Sequence, residues 1–183
     1  MNHFTKLIAA CLLAASSAFC SMATAAQEIP TGTRFEVGFS PDRGALEAVV
    51  KVINAAKSQL LVAAYSFTSK PIAQALVEAH KRGVKVFVVA DEKDNSKRYS
   101  VATYLANQGV PVRLNGRYAI FHHKFIVCDG VNVELGSFNY SAAAANRNAE
   151  NVLVLWGAKD VASQYANEWK RLWDEATPLD KKY

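Results

Sequence analysis

The chain has 183 residues, 51% of them hydrophobic and 20% charged, and 21 Lys and Arg against 16 Asp and Glu give a formal net charge of +5. That length fits one folded domain with a full core. Three cysteines are too few for a disulfide-held scaffold.

In chain order, residues 1–26 read as a removable secretory leader. Lys6 is the positive residue ahead of an apolar run over 7–19, and Ala23-Thr24-Ala25 supplies the small-residue cleavage pattern. The run is interrupted by Ser16 and Ser17 and is short for a bilayer span. The expected mature domain, residues 27–183, has a net charge of +4 once Lys6 has left, and it keeps Cys128 alone, since Cys11 and Cys20 leave with the leader. The expected location is therefore the periplasm or the outside of the cell, and the expected role of Cys128 is a small buried apolar residue. Past the leader there is no transmembrane stretch, long linker, low-complexity tract or short repeat.

Ser40-Pro41 reads as a helix cap and first helical residue, followed by Leu46, Val49, Val50 and Ile53 at helical spacing. Residues 60–67 form an apolar run of the kind found in a strand buried on both faces. Residues 71–82 read as a helix with Ile72, Leu76 and Ala79 inward and Gly83 as its stop. A second buried strand follows over 84–90, then a helix over 100–108 closed by Gly109 and a short strand over 110–114. Residues 151–156 give another strand, and 158–174 a last helix with Val161, Tyr165, Trp169 and Leu172 on one side. Alternating strands and helices predict an α/β fold with a mixed, mostly parallel sheet flanked by helices.

The stretch over residues 122–139, HHKFIVCDGVNVELGSFN, interrupts that alternation. Two apolar, β-branched runs flank Asp129-Gly130, a hairpin turn signal. Side chains alternate across a strand, so His122 and Lys124 share one face and His123 takes the other. The hairpin returns Ser137 and Asn139 to the end where His122 sits. An imidazole, an ammonium, a hydroxyl and a carboxamide converging on one spot suit a phosphoryl group. Imidazole can attack phosphorus and split one hard displacement into two, while Lys124 and Asn139 can donate to the non-bridging oxygens. His80, in the helix over 71–82, reads as a solvated surface residue.

These residues resemble the HKD signature of the phospholipase D superfamily, H-x-K-x4-D-x6-G-S-x-N, at all six fixed positions: His122, Lys124, Asp129, Gly136, Ser137 and Asn139. At residue frequencies near 5%, such a match arises by chance about once in 10^8 starts. The resemblance implies a phospholipase D/nuclease-like fold and a phosphodiesterase that needs no metal or other cofactor and works through a covalent phosphohistidine. It is to the single-motif branch, whose exported bacterial endonucleases place the site on a homodimer axis, so that each copy supplies one His122. It also implies that Glu150 accepts a hydrogen bond from His122, and that Ser137 supports the phosphate pocket. Asp129, on the turn, is expected to be structural, as is Gly136.

The expected substrate is DNA cut without sequence specificity, with RNA a second candidate. The basic excess and Lys93, Lys97, Arg98, Arg113 and Arg117 near expected loops favour a polyanion. A phospholipase D acting on membrane lipid and a catalytically silent nucleic-acid-binding module are the alternatives. No amphipathic helix suggests stable membrane association.

Overall fold

The structure, a computed structural model, describes residues 25–98 and 100–181. The expected leader lies outside them except for Ala25 and Ala26.

The chain alternates strand and helix: β1 (Arg34–Ser40), α1 (Ala45–Ala55), β2 (Gln59–Ala64), α2 (Lys70–Lys81), β3 (Lys85–Asp91), α3 (Glu92–Asn95), α4 (Val101–Asn107) and β4 (Val112–Asn115). The hairpin β5 (Lys124–Cys128) and β6 (Asn132–Gly136) follows, then α5 (Ala142–Asn146), β7 (Glu150–Trp156), α6 (Lys159–Asp174) and β8 (Thr177–Pro178). All eight strands form one sheet in the order β1-β7-β6-β5-β2-β3-β4-β8.

The sheet is mixed, as the alternation and the hairpin imply, but its balance leans the other way from the expected mostly parallel one. Only β2–β3 and β3–β4 pair in parallel, while β1–β7, β7–β6, β6–β5, β5–β2 and β4–β8 are antiparallel. The hairpin is the reason. It enters the sheet beside β2, and everything beyond it must then pair with a strand of reversed direction.

Helices cover both faces, giving the three layers expected of an α/β domain. On one face α1 buries Ala45, Val49, Val52 and Ile53, and α2 buries Ile72, Leu76 and Ala79, against Leu60, Val62, Val86, Val88, Ile126 and Val154. Those helical positions recur at three and four residues, the spacing of a single stripe. On the opposite face α6 packs Ala162, Trp169 and Leu172 against Leu61, Val89, Phe125, Val127 and Val133. The Trp169 indole donates to the Val62 carbonyl at 2.9 Å, so this large ring is buried with its one polar atom satisfied.

Several ends differ from the sequence expectation. Ser40 is not a helix cap but the last residue of β1, opposite Glu150, and α1 starts at Ala45 behind Gly44 in the left-handed region (φ 87°). Phe39 N–H donates to the Arg43 carbonyl at 2.9 Å, so residues 40–43 are a tight turn and not a first helical turn. The helix expected from residue 100 does begin there, with Ser100 Oγ accepting from Thr103 N–H at 3.1 Å as its cap. His80 is half-buried in the last turn of α2, less solvated than expected. Cys128 is fully buried, and burial first, with Asp129 adding to it, pushes its thiol up to about 12.

Candidate active site

The carboxyl ends of the parallel strands β2 and β3, the start of β5, the end of β6 and the start of β7 all meet at one edge of the sheet, where open α/β sheets bind ligands. The β5–β6 turn lies at the far edge. There Asp129 (φ 55°) and Gly130 (φ 68°) are both left-handed, and Val131 N–H closes the turn on the Cys128 carbonyl at 3.2 Å.

The Asp129 carboxylate accepts from Ser58 N–H (2.8 Å), Ser58 Oγ (2.8 Å), Gln59 N–H (2.9 Å) and Lys57 N–H (2.9 Å). Burial raises its pKa, but these donors outweigh burial and hold it below the usual carboxylate range. Asp129 thus ties the hairpin turn to the loop ahead of β2 and takes no part in the site. Gly136 is fixed by close approach: a Cβ there would stand 2.2 Å from the Asn151 carbonyl oxygen on the neighbouring strand.

His122 lies just ahead of β5, in a segment held from below. Asp91, at the end of β3 and 3% exposed, accepts from Phe121 N–H at 2.9 Å through Oδ2 and from Asp94 N–H at 2.9 Å through Oδ1. Lys93 Nζ donates to the Ala119 carbonyl at 3.2 Å. Phe121 is a fully buried plug, and the next residue, His122, is exposed, its ring 4.8 Å from that of Tyr65 at a tilt of 54°. Lys124 is only 8% exposed. Its Nζ donates to the His122 carbonyl at 2.8 Å and lies 5.1 Å from the Tyr65 ring centre. Burial lowers its pKa, and the nearby Glu150 carboxylate works against that shift.

His123 takes the opposite face. Its ring meets Phe121 and Phe125 edge-on, each at 5.6 Å, and its Nε2 is 3.7 Å from Glu168 on α6. Burial lowers its pKa despite that carboxylate.

The return strand brings the remaining polar groups. Ser137 Oγ donates to Glu150 at 2.7 Å and accepts from Asn151 N–H (3.1 Å) and Asn151 Nδ2 (3.2 Å). The other Glu150 oxygen accepts from Asn148 Nδ2 at 3.1 Å. Within the chain, then, Glu150 orients Ser137 and Asn148, one on each oxygen, and makes no hydrogen bond to His122, contrary to the expected pairing.

Asn139 sits between two fully buried aromatics, Phe138 and Tyr140, and its Oδ1 is buried without a partner. Tyr140 is anchored twice. Its carbonyl accepts from Thr68 and Ser69 N–H, both at 2.8 Å, and its hydroxyl donates to Glu134 at 2.7 Å. Glu134 is fully buried, its other oxygen has no partner, and burial pushes its pKa up to about 8 against the counter-effect of the tyrosine.

His122, Lys124, Ser137, Asn139 and Glu150 therefore gather at one edge, with Asp129 remote from them. Of the five basic residues singled out, Arg113 is spent elsewhere: it stacks on Trp173 at 4.6 Å and donates to that residue's carbonyl at 2.9 Å. Arg117 pairs with Glu175 at 3.6 Å. Among the described residues no group of three or more His, Cys, Asp or Glu side chains is placed to hold a metal ion. Tyr65 and Asp91 escaped sequence reasoning. Both close apolar strand runs, and their only signal was that they are polar residues at carboxyl ends of buried strands.

Residues 49–173 match the family model described as "Cardiolipin synthase, PLD-like domain". Phospholipase D of Rickettsia bellii is 33% identical over 131 residues, 72% of this chain and 65% of that protein. The mitochondrial cardiolipin hydrolase of Xenopus laevis is 34% identical over 130 residues, 71% of this chain and 61% of that protein. The chain thus spans less than two thirds of the length of these relatives. Among solved structures, the phospholipase D family member Nuc from Salmonella typhimurium superposes with a TM-score of 0.79 at 38% identity, covering 81% of this chain and 99% of that one. NucT from Helicobacter pylori shares the fold, with a TM-score of 0.74 at 24% identity over 80% of this chain and 99% of that one.

Proposed function

Because this chain belongs to the phospholipase D superfamily, we propose that it is a metal-independent phosphodiesterase that cuts DNA without sequence specificity, with RNA a second candidate substrate. The observation that carries the chemistry is the convergence of an exposed imidazole, His122, with a buried ammonium, Lys124, at the edge where Ser137 and Asn139 return.

In this reading one His122 attacks phosphorus while the P–O bond to the leaving alkoxide breaks. A second imidazole, protonated, gives its proton to that alkoxide. Water then attacks the phosphohistidine, giving up a proton to the second imidazole, and the P–N bond breaks as the phosphate product forms. Lys124 and Asn139 donate to the non-bridging oxygens as charge moves onto them. Ser137, fixed by Glu150 and Asn151, supports that pocket. Burial of Lys124 makes its charge worth more to a phosphate than it would be in water.

Each chain has one His122 at the site, and His123 is turned toward Glu168 of α6, so in this reading the second imidazole comes from a second copy across a two-fold axis. The outer face of β1 supports this. Phe35, Val37 and Phe39 are 70%, 50% and 42% exposed on one strand face, and Phe39 stands opposite Asn151, the residue that holds Ser137. An apolar strip running straight into a half-built site is what a second copy would cover. With the leader removed, the dimer would act in the periplasm or outside the cell.

Nucleic acid is favoured over lipid by the net positive charge, and the relatives named phospholipase D and cardiolipin hydrolase make lipid the second reading. No helix among the described residues is long and apolar enough to cross a membrane. The test pairs plasmid DNA with phosphatidylcholine vesicles, each in excess EDTA, using protein lacking residues 1–26. Plasmid is expected to be cut at an undiminished rate while choline stays bound. Choline release with intact plasmid would transfer the assignment to lipid, and activity lost on chelation and restored by magnesium would remove the mechanism.

A further inference from the structure

A cleft of about 270 Å³ opens directly beside His122, lined by Tyr118, Ile120, Phe121, His122, His123, Arg171 and Leu172. Phe121 and Leu172 are buried and give it an apolar floor, whereas Ile120 is left 54% exposed by the described residues.

Tyr118 is held as a rigid wall. Its hydroxyl donates to Glu175 at 2.7 Å and accepts from Arg171 at 2.6 Å, and the guanidinium lies 5.9 Å from its ring. The Arg171 guanidinium has five N–H groups. Nε and Nη2 each donate once to Glu168, and Nη1 donates to Tyr118 and Glu175, which leaves one N–H uncommitted. The segment bearing Tyr118 and Ile120 is pinned by the Asp91–Phe121 and Lys93–Ala119 bonds described above. The cleft is therefore preformed.

Its charge decides what it suits. Glu168 and Glu175 compensate Arg171 and Arg117, so the cleft has no net attraction for a second phosphate. Those carboxylates are already paired with Arg171, so a quaternary ammonium headgroup finds no free anion there either. At about 270 Å³ it lies below the usual 300–1,000 Å³ range of small-molecule pockets and has no room for acyl chains. What remains is a neutral, planar group with a hydrogen-bonding edge, attached one linkage away from the phosphorus that His122 attacks.

Building on the nuclease reading, we propose that this cleft is a nucleobase subsite, in which the base of the nucleoside flanking the scissile phosphate packs between Tyr118 and Ile120 with its edge toward Arg171. Base–aromatic contact is tolerant of base identity, since every base has a π-face. A subsite of this kind therefore fits an enzyme that cuts without sequence specificity.

The test uses chromogenic diesters that differ only in the base: thymidine 5′- and 3′-(4-nitrophenyl phosphate), each beside its counterpart with bare deoxyribose. The wild-type protein is expected to prefer the base-bearing member of at least one pair by about tenfold in kcat/KM, chiefly through KM. Tyr118→Leu should bring that ratio close to one, and Tyr118→Phe, which keeps the ring, should retain most of it. No preference in either pair, or a preference that survives Tyr118→Leu in protein with a wild-type melting profile, overturns the subsite and leaves the nuclease reading standing. If the protein releases choline from phosphatidylcholine vesicles but leaves nucleotide diesters and plasmid intact, the nuclease reading itself falls, and the base subsite with it.

Discussion

Replacing His122 by alanine is expected to lower plasmid cleavage by about 10^4-fold or more, the scale seen when a covalent nucleophile is removed, while DNA affinity changes by less than about threefold, because phosphate contacts carry most of the binding. His123→Ala should behave quite differently. Its ring meets Phe121 and Phe125 edge-on but its side chain is 46% exposed, so its loss removes aromatic contacts without opening a closed cavity and lowers stability by roughly 0.5–1.5 kcal/mol. Turnover should stay within about tenfold of wild type, since the ring bonds to none of Lys124, Ser137, Asn139 and Glu150 and faces Glu168 on α6 instead. Cleavage assays and a thermal melt on the two variants separate these effects. A dead His123→Ala beside a working His122→Ala would reverse the assignment of faces. The distinction rests on alternation along one strand, the simplest of all sequence arguments.

The second large effect is on stability and concerns Glu134. A carboxyl with no opposite charge near it, fully buried and bonded only by Tyr140, is held as a neutral acid up to about pH 8. In the unfolded chain it ionises near pH 4.5. Between those two values the folded protein binds a proton that the unfolded protein has released. Stability therefore falls as pH rises through the window, by up to about 1.4 kcal/mol per pH unit. Below pH 4.5 both states are protonated and this contribution vanishes.

Glu134→Gln keeps an acceptor for Tyr140 but cannot ionise. The drop in melting temperature from pH 6 to pH 9 should be smaller in the variant by roughly 5–10 °C. Parallel melting curves for wild type and variant would show that Glu134 is already ionised in the fold. The consequence reaches the site, because Tyr140 holds the segment that carries Asn139 against the loop after β2.

Much of this architecture was legible in the sequence, for reasons that differ by element. The buried strands β2 and β3 declared themselves because both faces are apolar, and α2 and α6 because their stripes recur at helical spacing. The hairpin was legible down to its turn, since Asp129 and Gly130 are residues that tolerate the left-handed conformation both adopt. Strand β1 was missed although it alternates perfectly. Its apolar residues Phe35, Val37 and Phe39 are the exposed ones, and its end at Ser40-Pro41 imitates a helix start. The short helix α5 is a run of alanines capped by Ser141 Oγ, too brief to show a period.

In the site, the signature residues could be read because their spacing is local, within two strands and a turn. Tyr65 and Asp91 could not, because only the parallel pairing of β2 with β3 and the antiparallel pairing of β2 with β5 bring them beside His122. The role of Glu150 came from the family resemblance, and within one chain that carboxylate bonds Ser137 and Asn148, since sequence does not say which of several polar neighbours a carboxylate will meet. The exposed face of β1 was equally illegible. It is an incomplete surface, and incompleteness appears only once the rest of the fold is in place.

That incompleteness bears on the central claim, that one phosphodiester is cleaved between the His122 residues of two copies. In the proposed dimer one His122 attacks phosphorus and the other supplies the proton to the leaving oxygen. A dimer of one wild-type and one His122→Ala chain therefore lacks either the nucleophile or the acid. The direct test is to refold wild-type and His122→Ala protein together in equal amounts, confirm exchange, and measure plasmid cleavage per wild-type chain. With random pairing half of the wild-type chains sit in mixed dimers, so activity per wild-type chain should fall to about half that of the wild-type control. Undiminished activity per wild-type chain in the exchanged mixture, or full activity from a sedimenting monomer at assay concentration, would contradict the shared site.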